Sequence, residues 1–239
     1  LDQSLQNFET DLLALRPDIV IHTAGPYQGQ DYRVAKACIQ AGSHYIDLAD
    51  GRDFVQGFDS LHAEAKENHL LLVSGASTLP GLSSVVIDSL RGEFKTIREI
   101  EILIAPAHQT PRGKGTIAAV LSYCGMPFQV LVDGDWVTKY GWQDLRRHRY
   151  PDFGLRLSGV CDVPDLGLLP GYVDSVNTVT FHAALEATWE HIALWKMAWV
   201  TRAGIVRKWD RFVPLFQKIS RRQDYRSRSV TMPRNVFDV

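Results

Sequence analysis

A glycine–proline turn that follows an apolar run is the feature of this sequence best suited to chemistry. The run over residues 18–24 (DIVIHTA) leads directly into Gly25, Pro26 and Tyr27. Glycine lets the backbone approach a ligand closely, and proline fixes the bend. If the run is a parallel strand, the turn lies at its carboxyl end, where open α/β sheets bind ligands. The helix that follows would direct backbone N–H groups toward the same crevice.

Two further apolar runs indicate that this strand has parallel neighbours. They cover residues 45–49 (YIDLA) and 70–76 (LLLVSGA), and such short runs are typical of buried parallel strands. Helical patterns over residues 5–15, 31–41 and 53–68 precede and separate the three runs. The strand-to-strand spacing is close to the ~30 residues of a βαβ unit. Residues 1–95 are therefore predicted to form the second half of a Rossmann-type, doubly wound parallel sheet in an α/β fold.

A longer and more specific pattern covers residues 21–54, IHTAGPYQGQDYRVAKACIQAGSHYIDLADGRDF. It joins AGP and an aromatic residue to AGxHYxDL at residues 41–48, and SGASTLPGLSS follows at residues 74–84. In these motifs the chain resembles the saccharopine dehydrogenase-like family of NAD(P)-binding oxidoreductases. The resemblance covers residues 15–90 and is weaker beyond them.

The resemblance implies a function and a set of site residues. It implies that the AGPY turn lies near the nicotinamide half of NAD or NADP in an enzyme that acts on a small amino-acid-derived or related substrate. The cofactor-binding residues that it implies are Thr23, Ala24, Gly25, Pro26, Tyr27, Asp47, Ser74, Gly75 and Ala76. The alternative is that AGPY is an ordinary strand-to-helix turn.

One motif of such enzymes is missing from this chain. No GxGxxG follows a strand, and the residue that would read the adenosine ribose is missing too. The three strands therefore resemble the fourth to sixth of the fold, and we expect a chain truncated ahead of Leu1 that holds at most half a cofactor site. A half-sheet exposes an apolar edge, so we also expect self-association or cover by the C-terminal part.

The pattern changes after residue 90, and a second, α+β domain of the substrate-binding or dimerisation type is predicted over residues 96–239. Alternation over residues 100–104 and 176–184 predicts strands. Asp133 and Gly134 predict a hairpin between residues 128–132 and 136–138. Helices are predicted over residues 116–123 and 188–203, with further C-terminal helices.

A loop with two cations is the candidate for substrate binding. Arg112 and Lys114 belong to RGKGT, which follows a strand and precedes a helix, and they are predicted to hold a carboxylate or a phosphate. His108 and Tyr123 are candidate general acids for an imine or carbonyl. An ordinary loop and structural His and Tyr residues are the alternatives, and no catalytic residue is assigned.

Composition excludes several classes of protein. A formal net charge of −1 gives no general attraction for nucleic acid, and no nucleic-acid-binding motif occurs. Three dispersed cysteines, Cys38, Cys124 and Cys161, predict neither disulfides nor a zinc site and favour the cytoplasm. HExxH and GxSxG are both absent, so we expect no metal and no nucleophile elbow. The expected partners are a small-molecule substrate and, in a homodimer, a second copy.

The C-terminal part supports a rival interpretation. It is rich in tryptophan (Trp189, Trp195, Trp199, Trp209) and strongly basic from Arg202 onward. Helix packing is the ordinary explanation of the tryptophans, but with the basic residues they could form a membrane-surface element. The chain would then be a non-catalytic binding or membrane-associated module that retains the fold. A third interpretation is an assembly protein whose sheet edge another subunit covers.

Overall fold

The apolar runs and helical patterns fold into two β-sheets in the computed structural model, which describes residues 1–3, 6–106, 113–150 and 154–218. The α/β fold class is confirmed. The helices and strands, in chain order, are α1 (Phe8–Leu15), β1 (Ile19–His22), α2 (Arg33–Ala41), β2 (His44–Asp47), α3 (Arg52–Gly57), α4 (His62–Glu67), β3 (Leu72–Val73), α5 (Ser83–Arg91), β4 (Glu99–Ile104), α6 (Lys114–Ser122), β5 (Pro127–Val132), β6 (Asp135–Tyr140), β7 (Arg146–Tyr150), β8 (Gly154–Val160), α7 (Asp165–Tyr172), β9 (Thr178–Ala184) and α8 (Thr188–Arg202).

The first sheet is parallel, in the order β1-β2-β3, as the three apolar runs predict. This is the order of the last three strands of a doubly wound sheet. The helix predicted over residues 53–68 is broken into α3, a 3₁₀ turn (Phe58–Leu61) and α4. The Tyr32 hydroxyl donates to the Phe54 carbonyl oxygen over 2.9 Å, which competes with the regular helical pairing of that oxygen.

An aromatic cluster covers one face of this sheet and leaves the other face open. Tyr45 is fully buried, and its ring stacks on Phe58 at a centroid distance of 5.6 Å. On the opposite face Ile19 and Ile21 are 52% and 66% exposed. Within the described residues β1 pairs with β2 alone, so its other edge carries unpaired backbone groups. An open apolar edge was expected, and the self-association inferred from it stays a prediction.

The second sheet is built around β9. Strand β4 pairs with β9 in parallel, and β5 and β8 pair with it antiparallel. The β5–β6 hairpin turns at Asp133 and Gly134, both with positive φ, as predicted. Strands β7 and β8 were not predicted from the sequence, since four of the five residues of β7 are Arg or His. Helix α7 was not predicted either, because its Pro170 is a helix breaker.

A larger apolar core lies on the second sheet. Leu166 and Leu169 of α7 and Val179 of β9 are at most 1% exposed at its centre. Leu79 belongs to this core, and Ile87 of α5 packs against it, so part of the chain ahead of residue 95 folds onto the second sheet. The domain boundary at residue 95 stays a prediction.

An arginine of α3 bonds to residues in and beside the second sheet. Arg52 of α3 donates from Nη1 to the carbonyl oxygen of Gln129 at 2.8 Å and to Asp162 Oδ1 at 3.1 Å. Burial raises the pKa of Asp162, although the Arg52 charge opposes that shift. A Cβ atom on Gly167 of α7 would lie 2.1 Å from the side chain of Gln56, so α7 packs directly on α3.

Buried histidines predict a pH dependence of stability. His191 of α8 is fully buried beside the Trp142 ring, and neither of its ring nitrogens has a hydrogen-bond partner among the described residues. Burial lowers its pKa from 6.5 to about 4. Burial likewise lowers the pKa of His182 to about 4. In the unfolded chain these two histidines take up protons near pH 6.5. The stability that depends on their neutral, buried rings is therefore complete above pH 6.5 and is lost as the pH falls toward 4.

We therefore expect a His191→Leu variant to lose less stability than the wild type between pH 6.5 and 4.5. Uptake of one proton on unfolding changes the free energy of unfolding by about 1.4 kcal/mol per pH unit. We expect the slope of that free energy against pH to be smaller in the variant by roughly 1 kcal/mol per pH unit. Denaturant unfolding at several pH values measures this slope. Burial raises the pKa of three carboxyl groups, which lowers the free energy of unfolding as the pH rises, opposite to the effect of the histidines. These groups are Asp50, Asp162 and Asp165, and their effect is the same in the wild type and the variant. His62→Gln, at an exposed position, is the control, and equal slopes for all three proteins would contradict the assignment.

Candidate functional site

The carboxyl ends of the three parallel strands are tied together by one buried carboxylate. Asp47, the last residue of β2, has no exposed surface. Its Oδ1 accepts hydrogen bonds from the backbone N–H groups of Ala49 (2.9 Å) and Gly75 (2.7 Å) and from Ser74 Oγ (3.1 Å). Asp47 therefore holds the loop after β3 against the end of β2.

The same carboxylate reaches β1 through two aromatic side chains. The Tyr45 hydroxyl donates to Asp47 Oδ2 over 2.9 Å, and His22 Nδ1 lies 2.8 Å from the Tyr45 hydroxyl oxygen. Since the single hydroxyl proton goes to Asp47, Nδ1 of His22 must carry the proton that closes the second bond. Burial lowers the pKa of His22, which is consistent with a neutral ring. The Tyr27 hydroxyl then donates to the His22 carbonyl oxygen over 2.6 Å and so ties the AGPY turn to the network.

The AGPY turn presents exposed, uncharged backbone above this network. Thr23, Ala24, Gly25 and Pro26 are exposed, and the Gly25–Pro26 peptide bond is cis. Tyr27 instead points into the first core, where burial raises its pKa to about 12. The turn is thus anchored through Tyr27, while its other residues keep exposed surface.

Glycine at position 25 is not demanded by this chain's own packing. Its φ is not positive, and an added Cβ would meet the Tyr27 ring at 3.6 Å, an ordinary contact. Gly75 differs, because its φ is +79° and a Cβ there would lie 2.7 Å from Pro80 Cδ. Gly75 is therefore a structural requirement of the loop, whereas the packing at position 25 would accommodate a side chain.

Helix α6 begins directly over the turn. A Cβ on Gly115 would lie 3.3 Å from the carbonyl carbon and oxygen of Gly25, so the two backbones are nearly in contact. This approach brings the predicted substrate residue Lys114 beside the predicted cofactor turn. Lys114 and Pro26 line one pocket of about 630 Å³. Arg112 and His108 lie outside the described residues.

A hydrogen-bonded bridge connects Tyr123, at the end of α6, to the first sheet. Gln28 Nε2 donates to Asp50 Oδ1 over 3.1 Å and to the Tyr123 hydroxyl oxygen. Burial raises the pKa of both Tyr123 and Asp50. The phenol therefore stays protonated at neutral pH and serves as a hydrogen-bond donor more readily than as an acid. Gln28 and Asp50 were not predicted as site residues, although both directly follow motifs that end a strand.

The predicted cofactor residues thus divide into two groups. Thr23, Ala24, Gly25, Pro26 and Ala76 present exposed surface, whereas Tyr27, Asp47 and Gly75 are buried and Ser74 is half-buried. The buried residues act on the crevice by holding its loops in place. Contact between any of the nine residues and a dinucleotide stays a prediction.

The exposed turn fits one end of a dinucleotide better than the other. Residues 23–27 carry no charge, and α2 begins only at Arg33, so neither a cation nor a helix N-terminus directly follows β1. An uncharged backbone surface suits a nicotinamide ring and its amide, whereas a diphosphate requires a glycine-rich loop at a helix N-terminus. Among the described residues, no group of three or more His, Cys, Asp or Glu side chains is placed to bind a metal.

The tryptophans of α8 pack partly on one another. Trp195 and Trp199 meet edge to face at 6.3 Å, while Trp189 and Trp199 are 56% and 47% exposed. None of the helices in the described part of the chain is long and apolar enough to cross a bilayer.

Comparison with known proteins finds similarity at the level of structure. No protein-family model matches the chain, and no curated protein matches it in sequence. Saccharopine dehydrogenase (L-Glu forming) of Saccharomyces cerevisiae superposes with a TM-score of 0.52 at 12% identity, over 77% of this chain and 43% of the yeast chain. At this identity the likeness shows a shared fold alone, and the chain matches less than half of the yeast enzyme's length.

Two bacterial proteins superpose more weakly. One is the presumed oxidoreductase yvaA of Bacillus subtilis, with a TM-score of 0.32 at 15% identity over 75% of this chain and 50% of its own. The other is a presumed oxidoreductase of Yersinia pestis, with a TM-score of 0.32 at 14% identity over 73% and 48%. Similarities this weak carry no argument about the site.

The Asp47 network makes a stability prediction. An Asp47→Ala variant leaves four donors without their acceptor in a buried place, and we expect the free energy of unfolding to fall by about 3 kcal/mol or more. Asp47→Asn keeps an oxygen for the loop donors and should lose less. Denaturant unfolding measures both, with Asp59→Ala, at an exposed position, as a control expected within about 0.5 kcal/mol of the wild type. An Asp47→Ala loss no larger than that of the control would refute the network's role.

Proposed function

We propose that this chain is part of a saccharopine dehydrogenase-like, NAD(P)-dependent oxidoreductase that acts on a small amino-acid-derived or related substrate. The observation that carries the proposal is the closure of α6 over an exposed, uncharged glycine–proline turn at the carboxyl edge of parallel strands. The motif resemblance over residues 21–54 and the fold shared with a saccharopine dehydrogenase support it.

The chain's own residues would bind and orient the reactants. A bound nicotinamide would accept or donate a hydride at the carbon that carries the substrate's amine or hydroxyl group, with one proton released in the oxidation and taken up in the reduction. Thr23, Ala24, Gly25 and Pro26 would form the floor on which the ring lies. Lys114, at the start of α6, would hold an anionic group of the substrate. Tyr123, protonated at neutral pH, would donate a hydrogen bond and keep α6 in place.

The adenosine half of the cofactor would be bound elsewhere. The described residues contain no glycine-rich phosphate loop after a strand, and β1 has an open edge with exposed Ile19 and Ile21 beside it. We propose that further strands of the doubly wound sheet pair with this edge and supply the phosphate-binding turn. In this proposal the present chain holds the nicotinamide half of the site.

Cofactor choice and location follow as further predictions. Either NAD or NADP satisfies the proposal, because the residues that distinguish them read the adenosine ribose. The cytoplasm is the proposed location, since all three cysteines are free and buried. Burial raises the pKa of Cys38 and Cys124 to about 12, so both thiols stay protonated.

The experiment is a fluorescence titration with NADPH and NADH. We expect binding by a longer product that carries three further strands ahead of β1 and much weaker binding by the 239-residue chain. In the longer product, Gly25→Val adds a side chain to the turn on which the nicotinamide would lie, and we expect about tenfold or more weaker binding with little change in the free energy of unfolding. Gly92→Val is the matched control, because Gly92 has no atom within 4 Å of an added Cβ.

Two results would argue against the proposal. If neither product binds either dinucleotide, the alternative of a non-catalytic module gains support. If Gly25→Val and Gly92→Val bind equally well, the nicotinamide does not lie on the AGPY turn.

A further inference from the structure

A second feature of the pocket beside the AGPY turn is its charge. Its walls come from Pro26 and Gln28, from α6, and from the chain that follows α8. Four cations line it: Lys114, Arg207, Lys208 and Arg211. Among the side chains that the structure describes, no aspartate or glutamate lines this pocket. None of the four cations has an ion-pair partner among the described residues. Like charges gathered around one concavity repel each other and attract an anion.

The basic wall of this pocket is held in place by packing. Trp209 donates from Nε1 to Thr201 Oγ1 over 2.8 Å, which ties the segment back to α8. Val213 is 4% exposed and belongs to the second core. The 3₁₀ turn Asp210–Phe212 packs against α6. The cations of residues 207–211 therefore stand on an anchored segment at the edge of a defined cavity.

The spacing of the cations favours one compact, doubly charged group. Arg207, Lys208 and Arg211 lie within five consecutive residues, so their charges are concentrated on one side of the pocket. Guanidinium groups bind phosphate and carboxylate through paired hydrogen bonds, and a phosphomonoester places two charges on a single group. The rest of the lining is largely apolar and includes Leu121 and Val213, which suits an organic body.

We propose that this pocket binds a soluble phosphomonoester with a small apolar body. The phosphate would lie against Arg207, Lys208 and Arg211, and the body would extend over Leu121 toward the AGPY turn. Because Pro26 and Lys114 line this pocket, the ligand would also be the substrate class of the proposed enzyme, and in that respect the inference rests on the proposed function. Binding itself does not require a dinucleotide.

Calorimetric titration of the 239-residue chain with phenyl phosphate tests the proposal. Phenyl sulfate has a similar shape and one negative charge, and we expect it to bind at least tenfold more weakly at the same ionic strength. Arg211→Gln and Arg207→Gln should each weaken phenyl phosphate binding about tenfold or more. Arg98→Gln is the matched control, because Arg98 is exposed and lies outside this pocket's lining. Thermal unfolding of each variant checks that the exposed substitutions leave the fold intact.

Three outcomes would overturn the proposal. Equal affinity for phenyl phosphate and phenyl sulfate would show that the pocket does not select a doubly charged group. Equal losses in Arg211→Gln and Arg98→Gln would show a diffuse effect of surface charge. Binding to phosphatidic acid vesicles without binding to phenyl phosphate would assign the basic residues to a membrane surface. None of these results depends on NADPH or NADH, so failure here is distinguishable from failure of the proposed function.

Discussion

The buried carboxylate of Asp47 is the constraint on which the crevice depends. Four donors converge on it: the N–H groups of Ala49 and Gly75 and the hydroxyls of Ser74 and Tyr45. Through Tyr45, and then His22, the same network fixes the position of the AGPY turn. A buried carboxylate is costly unless every lone pair is used, so this network specifies one arrangement of the three strand ends. The AGPY turn is thereby tied to β1 and β2 through Tyr27, His22 and Tyr45.

The second constraint is the close approach of α6 to that turn. Gly115 lets the helix backbone nearly touch Gly25. Arg52 and the Gln28–Tyr123 bridge add hydrogen bonds between the first part of the chain and the second. The AGPY turn and the basic pocket therefore lie side by side, because Pro26 and α6 belong to both. An uncharged surface at the turn lies beside a basic pocket, and this juxtaposition suits a neutral ring next to an anionic reactant.

Strong local signals made much of the fold predictable from the sequence. Three apolar runs and the Asp133–Gly134 turn gave the parallel sheet and the hairpin, because strand burial and turn geometry depend on neighbouring residues. Strand β7 was not predictable, since its Arg- and His-rich sequence forms a strand only by pairing with β8. In the candidate site, the motifs predicted both Gly25 and Asp47 as cofactor-binding residues. Only the structure shows that one is exposed and the other is fully buried.

The proposed role of this chain is to hold the nicotinamide half of a dinucleotide site. Saturation-transfer NMR on the 239-residue chain with reduced nicotinamide riboside and adenosine tests it most directly, since both probes lack phosphate and avoid the basic pocket. The account predicts transfer to the nicotinamide ring, its loss in Gly25→Val and no transfer to adenosine. Transfer to adenosine alone, or to neither nucleoside, would contradict it.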